Sequence, residues 1–322
     1  METIARSMIG AAGVAIACSA VATVLRAEEG ASGHYAPGAA ASFIDALPGR
    51  PAWAMANYLM YYEGSAGGSQ RIPSGGQVTA GLNSQAWADS VLALRETDVK
   101  LLGGSYAFAV VIPVVKVEVE GEVRGPLGNT FRASDRASGI GDITLYPIMI
   151  GWAKGDLKYD VRLGVYAPTG DYETGQLANV GKNFWTVEPS AAVSWLSSKI
   201  GLEVTAFAGL AFNTRNDATD YNSGDVFHLD VTVAEHLPLG GLGVIGVGAS
   251  AFYYQQITGD SGSGADVLGD MKGQTVGVGP VVSLITKIGK ADLAAELKWL
   301  PELEVENRLK GDYGWLKVGV SF

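Results

Sequence analysis

The sequence predicts an all-β protein, a transmembrane antiparallel up-and-down β-barrel of about twelve strands. Three observations lead to this fold class. Apolar and polar side chains alternate along many segments, the links between these segments alternate between tight and long, and the chain ends in an alternating segment whose last residue is aromatic.

The composition limits the class of protein. Hydrophobic residues make up 48% of the 322 residues and charged residues 17%, so the chain is too apolar for a disordered protein. After residue 27, however, no uninterrupted apolar run approaches the ~18 residues that a membrane-spanning helix needs. The net charge of −10 argues against a nucleic-acid partner, because neutralising phosphates requires clustered Lys and Arg.

The alternation has a period of two from Pro51 onward. In residues 157–163, three charged side chains alternate with four apolar ones, and residues 202–208 and 291–299 follow a similar pattern. A helix would need a period near 3.6. Such alternation also fits a soluble sheet with one wet face. Many of the alternating segments nevertheless reach about ten residues, which is the length that a tilted strand needs to cross the hydrocarbon layer.

The links between the candidate strands separate the two ends of the predicted barrel. The candidate strands are 52–62, 91–102, 104–119, 140–153, 156–168, 185–197, 200–212, 225–237, 242–257, 272–287, 290–300 and 312–322. A long link follows every odd-numbered strand, and a tight link of one to four residues follows every even-numbered strand except the last. Outer-membrane barrels have short periplasmic turns and longer external loops. The pattern therefore predicts a bacterial outer-membrane location with both termini periplasmic and lipids around the barrel.

The C-terminal segment alternates up to the last residue. One apolar face consists of Leu316, Val318, Val320 and Phe322. This pattern resembles the C-terminal signal that the barrel-assembly machinery reads, which makes that machinery an expected partner. In a soluble sheet the same strand would leave an exposed apolar edge, whereas closure into a barrel pairs every backbone group.

The N-terminal region divides into two parts before the barrel domain at residues 51–322. Arg6, an apolar stretch and a small residue at Ala27 predict a signal peptide over residues 1–27. The alternatives are a membrane anchor and a lipoprotein signal with Cys18 as the lipidated residue. Residues 28–50 show no clear period and are predicted to be an irregular segment. This segment is a candidate plug of the lumen, with His34, Tyr35 and Pro37 inside the barrel.

The polar faces of the candidate strands supply candidate lumen-lining residues. They are Lys116, Glu118, Glu120, Asp142, Lys158, Asp160, Arg162, Glu188, Glu203, Asp230, Glu296, Lys298 and Lys317. If the apolar faces meet lipid, these side chains could line a path for solutes and set its selectivity. Alternatively, they pair with one another and fill a closed lumen. A barrel of twelve strands lies between those that side chains fill and those that hold an aqueous channel.

Several motifs resemble the outer-membrane protein family of the MetA pathway of phenol degradation. They are Gly33-His34-Tyr35-Ala36-Pro37-Gly38, Gly139-Ile140-Gly141-Asp142, Leu145-Tyr146-Pro147, Tyr166-Ala167-Pro168-Thr169-Gly170-Asp171-Tyr172, Thr219-Asp220-Tyr221 and Tyr254-Gln255-Gln256-Ile257-Thr258-Gly259-Asp260. The resemblance covers most of residues 33–322. It implies an outer-membrane barrel with a transport or permeation role, and it carries over no catalytic residue.

Three functions remain open at this stage. The first is a channel for passive uptake of small hydrophobic or aromatic molecules, and the second is a closed structural barrel whose loops bind a ligand. The third is an outer-membrane hydrolase, for which Ser223 and His228 would be the nearest candidates, although no nucleophile motif surrounds them. We expect no enzyme, no cofactor and no metal, because three scattered histidines do not match zinc spacings. The acidic residues of 258–270 match no calcium loop closely.

Overall fold

The computed structural model describes residues 29, 32–66, 71–74, 77–124, 130–266 and 272–322. The predicted signal peptide lies outside the described residues. The strands are β1 (Ala52–Ser65), β2 (Arg71–Ser74), β3 (Gln77–Leu101), β4 (Gly104–Arg124), β5 (Thr130–Ile140), β6 (Ile143–Lys154), β7 (Leu157–Ala167), β8 (Thr186–Leu196), β9 (Leu202–Asn213), β10 (Val226–Pro238), β11 (Val244–Gln256), β12 (Gln274–Ile288), β13 (Ala291–Glu306) and β14 (Lys310–Ser321). Short helical turns occur at Phe43–Asp45, Gly240–Leu242 and Ser263–Asp266. None of the helices in the described part of the chain is long and apolar enough to cross a membrane.

Twelve of the fourteen strands close into an antiparallel barrel, which confirms the predicted fold class. Every strand of the wall pairs with its neighbours in chain order, and β1 pairs with β14, so that Tyr58 lies opposite Lys317. The other two strands, β2 and β5, pair with the ends of β3 and β4 and extend the wall on one side. Closure gives the backbone N–H and C=O groups of the wall partners along both edges.

The strands extend further toward the long loops than the sequence predicts. β3 begins at Gln77 rather than at residue 91, and β5 occupies half of the predicted long link 120–139. The extension is a backbone ladder in which Ser84 pairs with Val119 and Ser134 pairs with Glu120, with a register shift between Ala80 and Asn83. A ladder needs backbone partners only, whereas the sequence analysis relied on the alternation that a strand needs inside lipid.

The outer face of the wall carries a band of large apolar side chains. Large side chains that point outward include Val161, Val193, Val233, Val247, Leu297 and Leu316, which are 40–58% exposed. The predicted C-terminal assembly residues belong to this face, and the last of them, Phe322, exchanges two backbone hydrogen bonds with Trp53 at 3.0 Å each. The outer face therefore fits acyl chains, and the twelve wall strands between Ala52 and Ser321 close around the lumen.

The two ends of the barrel differ. We call the end with the tight links after β3, β6, β8, β10 and β12 the short-turn end, and the opposite end the long-loop end. Arg50 pairs with Asp292 near the short-turn end. Glu29, in contrast, accepts hydrogen bonds from Tyr172 and Asn216 in the long loops. The chain before β1 therefore runs through the barrel from one end to the other.

Glu29 and Phe322 lie at opposite ends of the barrel, Glu29 at the long-loop end and Phe322 at the short-turn end. The periplasmic location of both termini stays a prediction. The strand count alone places the start of β1 beside the end of β14. It does not fix the path of the residues before β1, which here run back through the lumen.

Candidate functional site

Glu29 and residues 32–50, which we call the lumen segment, occupy one side of the barrel interior. The inner wall has two unlike halves. Charged and polar side chains point inward from β7 to β14. On β3 from Leu82 to Leu94 and on β4 from Ala107 to Val119, every inward side chain is uncharged. We call the inward faces of β1, β3 and β4 the apolar wall.

Asp230 is one of the charged groups that hold the lumen segment. This fully buried carboxylate accepts a short hydrogen bond from the Tyr35 hydroxyl and a bond of 3.1 Å from the Ala40 backbone N–H. The ring of Tyr35 stacks on His228, whose side chain lies 3.4 Å from the Glu188 carboxylate. The conformation of the segment is therefore fixed by groups from two barrel strands, β8 and β10.

Further along the segment, acidic and basic wall residues bind backbone atoms. Glu203 accepts from the Phe43 N–H at 2.8 Å, and Arg162 donates to the Asp45 carbonyl at 2.7 Å. Lys158 donates to the carbonyl of Leu47 at 3.2 Å. Because an irregular segment has no ladder of its own, these side chains satisfy backbone groups that would otherwise be buried without partners.

A buried charge cluster lies beside the turn at Phe43–Asp45. The Glu296 carboxylate is 3.2 Å from the Lys298 ammonium and 3.3 Å from the Lys317 ammonium. Lys317 also contacts the Asp45 carboxylate at 2.8 Å. Two cations thus face two anions inside the barrel, which is the arrangement that compensates for the loss of hydration.

Asp142 connects the lumen segment with a long loop. Its carboxylate accepts from His34 Nε2 at 2.9 Å, from the Gly170 N–H at 2.9 Å and from the Lys182 N–H at 2.7 Å. Burial alone would raise the pKa of this carboxyl group, but these hydrogen bonds outweigh it and hold the pKa below its usual value. Asp142 is thus an ionised acceptor in the break between β5 and β6.

The open part of the lumen lies between the segment and the apolar wall. It is a cavity of about 640 Å³, lined by inward residues of β1, β3 and β4 on one side and by the segment on the other. Toward the long-loop end, Leu177 and Ala178 from the loop 168–185 pack with Leu82, Val119 and Leu309. This cluster forms an apolar roof over the cavity.

Most of the predicted lumen-lining residues point into the barrel, where they contact the segment or one another rather than the cavity alone. The inward members are Asp142, Lys158, Asp160, Arg162, Glu188, Glu203, Asp230, Glu296, Lys298 and Lys317. His34, Tyr35 and Pro37, the candidate plug residues, lie inside the barrel and line the cavity. Ser223 and His228 have separate partners, since the Ser223 hydroxyl accepts from the Glu29 N–H and His228 stacks on Tyr35.

Three predicted lumen residues point the other way. Lys116 and Glu118 form an ion pair on the outer face with side chains 57% and 37% exposed, and Glu120 is exposed beside them. The inward positions of β4 are held by valines at 115, 117 and 119. The prediction for these three residues rested on charge as the mark of the lumen face. This part of β4 belongs to the extended wall, where the outer face is polar and the inner face apolar.

The apolar wall was not predicted from the sequence. Along β4, residues 107–115 are apolar on both faces, so that alternation cannot assign one of them to lipid. A strand with two apolar faces is a recognisable signal of an apolar inner wall. A wall strand between lipid and an aqueous lumen would instead carry polar residues on one face.

The closed antiparallel wall and its apolar outer face define the class of protein as an outer-membrane β-barrel. Residues 67–318 match the model of the family described as "Putative MetA-pathway of phenol degradation", and the chain belongs to that family. The family resemblance predicted from the motifs is thereby confirmed. No curated protein matches the chain.

Comparison with solved structures finds similar barrels. The COG4313 outer membrane channel from Pseudomonas putida F1 superposes with a TM-score of 0.61 at 17% identity, over 89% of this chain and 100% of that one. The β domain of the Bordetella autotransporter BrkA gives a TM-score of 0.48 at 12% identity, over 85% and 99% of the two chains. The first similarity supports a barrel of the outer-membrane kind.

Proposed function

We propose that the protein is an outer-membrane channel for the passive uptake of small hydrophobic or aromatic molecules. The observation that carries this proposal is the cavity of about 640 Å³ beside the apolar wall. Cavities of this size lie within the range of about 300–1,000 Å³ that binds small ligands. The charged half of the inner wall is occupied by the lumen segment, so a solute in the cavity meets mainly apolar side chains.

The apolar wall lowers the free energy of an apolar solute inside the barrel. Removing apolar surface from water contributes about 25 cal/mol per Å². An inorganic ion gains nothing comparable there, and it loses hydration. The channel therefore favours apolar solutes over ions, and the concentration gradient supplies the driving force. The external polysaccharide layer of a Gram-negative cell slows such solutes, which gives a barrel route its physiological purpose.

The orientation follows from the loop lengths. We place the short-turn end in the periplasm and the long-loop end outside the cell, as in outer-membrane barrels. Glu29 then lies at the external end, and Arg50 and Phe322 lie at the periplasmic end. Lipids cover the outer face, and the barrel-assembly machinery recognises the C-terminal strand through Leu316, Val318, Val320 and Phe322.

The second candidate function is a closed structural barrel that binds a ligand through its loops. It is favoured by the number of wall groups that hold the lumen segment and by the apolar roof of Leu177 and Ala178. In this case the segment would be a permanent part of the interior, and the cavity would have no route to either side.

A deletion strain separates the two functions. We expect slower growth on limiting concentrations of aromatic carbon sources and unchanged growth on succinate, with recovery when the intact gene is supplied. In parallel, the purified barrel in liposomes should speed the entry of a neutral aromatic dye without a matching ion current. Equal growth on both carbon sources together with no dye entry would contradict the channel.

A further inference from the structure

A polar pair lies on the outer face of the barrel where acyl chains are expected. The Asn57 side-chain amide donates a short hydrogen bond to the Asp89 carboxylate, and the pair is exposed. Asn57 lies on β1, and Asp89 lies on the neighbouring β3, directly opposite Leu59. Both side chains point outward, because the positions next to them in sequence, Tyr58 and Ala88, line the cavity.

The depth of this pair follows from the aromatic residues of the same strand. Trp53 and Tyr61 both point outward, Trp53 beside the last residue of the chain and Tyr61 against the ring of Trp87. Aromatic residues at such positions mark the two membrane interfaces. Asn57 lies midway between them, and Asp89 lies two residues below Trp87. The pair is therefore inside the apolar band and not in a loop.

Apolar side chains surround the pair on the outer face. Val91, Val114 and Val318 on the adjoining positions of β3, β4 and β14 are 47%, 56% and 38% exposed. Other outward polar residues of the wall strands lie nearer the ends of the barrel. Glu235 and Thr286 lie within three residues of the end of a strand at a tight turn. Arg95 lies opposite Trp53, and Lys116 lies opposite Trp87. A polar group in the middle of the band is unfavourable in lipid, and it is usually covered by another polar group.

We propose that the outer face of β1 and β3 around Asn57 and Asp89 is an interface with a second copy of this chain. The hydrogen bond within the pair leaves an amide N–H as a donor and amide and carboxyl oxygens as acceptors. Two such pairs related by a twofold axis are self-complementary, because each amide can donate to the carboxyl group of the other copy. Acyl chains offer no such partner. This inference does not depend on the proposed function.

Cross-linking in native membranes tests the interface in the full-length protein. Cys18 is the only cysteine and lies in the predicted signal peptide, so a single new cysteine reports one position. Leu59→Cys, opposite Asp89, should give a dimer with a short bifunctional thiol reagent. Val233→Cys is the matched control, since Val233 is 46% exposed on β10, on the far side of the barrel. Absence of the dimer, equal dimer from both variants, or an adduct with another protein would overturn the proposal.

A second variant separates the polar pair from the surrounding surface. Asn57→Leu with Asp89→Leu, in the Leu59→Cys background, should lower the cross-linked fraction at least tenfold. The barrel should keep its heat-dependent gel shift, because the new side chains suit lipid. If the dimer persists undiminished in a folded barrel, the pair is not the contact and the proposal fails.

Discussion

His34 and Asp142, which are 108 residues apart in the chain, meet inside the barrel with 2.9 Å between Nε2 and Oδ2. The same carboxylate accepts from backbone N–H groups of Gly170 and Lys182. One side chain thus joins the lumen segment, the break between β5 and β6, and the long loop that supplies the apolar roof. Loss of this carboxylate should loosen all three.

We expect Asp142→Asn to destabilise the attachment of the lumen segment by about 2–3 kcal/mol, since hydrogen bonds to a charged group contribute about 1.5–3 kcal/mol each and the amide keeps part of them. Limited proteolysis of the folded barrel should then cut within residues 32–50 faster than in the wild type. Asp217→Asn, at a side chain that is 94% exposed, is the control and should change nothing. Equal proteolysis of all three proteins would contradict this role.

The Asp142 carboxyl group should make the attachment of the lumen segment depend on pH, and its pKa gives the direction of that dependence. The pKa of Asp142 in the folded protein lies below its value of about 3.9 in an unfolded chain. Its contribution to stability is therefore fully present above about pH 4 and is lost as the pH falls through the lowered folded-state pKa. Protection of the segment should be constant between pH 7 and 5 and should decrease in stronger acid. In Asp142→Asn this particular decrease should be absent.

Glu296 should be more important for stability than its outward neighbours. Glu296→Gln leaves Lys298 and Lys317 buried next to each other with one carboxylate fewer, and breaking a buried ion pair typically costs about 3–5 kcal/mol. Unfolding in urea should shift accordingly. Glu304→Gln, at an exposed position of the same strand, should leave the midpoint of urea unfolding unchanged within error. A similar midpoint for both variants would show that the cluster does not stabilise the barrel.

Filling the cavity should block uptake if the apolar wall borders the route. Ala88 lines the cavity, and Ala88→Trp adds a bulky apolar group there without adding charge. We expect entry of a neutral aromatic dye into liposomes to fall severalfold. Ala206→Trp on β9 points toward lipid and should leave entry unchanged, which controls for folding and insertion. Undiminished entry through the Ala88→Trp barrel would place the route elsewhere.

Cysteine labelling on intact cells checks the orientation. Asp217→Cys, at the long-loop end, should react with a thiol reagent that does not cross the outer membrane. Lys199→Cys, in the tight link between β8 and β9, should react only after the outer membrane is opened. The reverse labelling pattern would show that the long-loop end faces the periplasm, with Glu29 on the periplasmic side.

Much of the wall was predictable from local pattern. The runs that became β7 and β9 were predicted to within two residues, because each has one face against lipid and the other against polar groups. The prediction failed where this condition does not hold. Residues 77–90 form part of β3 although their alternation is weak, and Lys116, Glu118 and Glu120 point outward on a stretch whose inner face is apolar.

Local sequence pattern also could not predict the contacts of the lumen segment. Its position inside the barrel was a candidate interpretation for His34, Tyr35 and Pro37, but its partners could not be derived. Tyr35 bonds to Asp230, which is 195 residues away, and Phe43 bonds to Glu203, which is 160 residues away. No periodicity links such positions, since an irregular segment takes its conformation from the wall that surrounds it.

The sequence by itself determined the class of fold, the order of the strands and the two unlike ends, because alternation and link length are local properties that a lipid-facing wall imposes on every strand. Only the tertiary structure decided what the interior contains. Barrel closure brings distant strands to one lumen, and there the charged half of the wall binds the segment while the apolar half is left beside open space. That division depends on contacts between residues far apart in the chain.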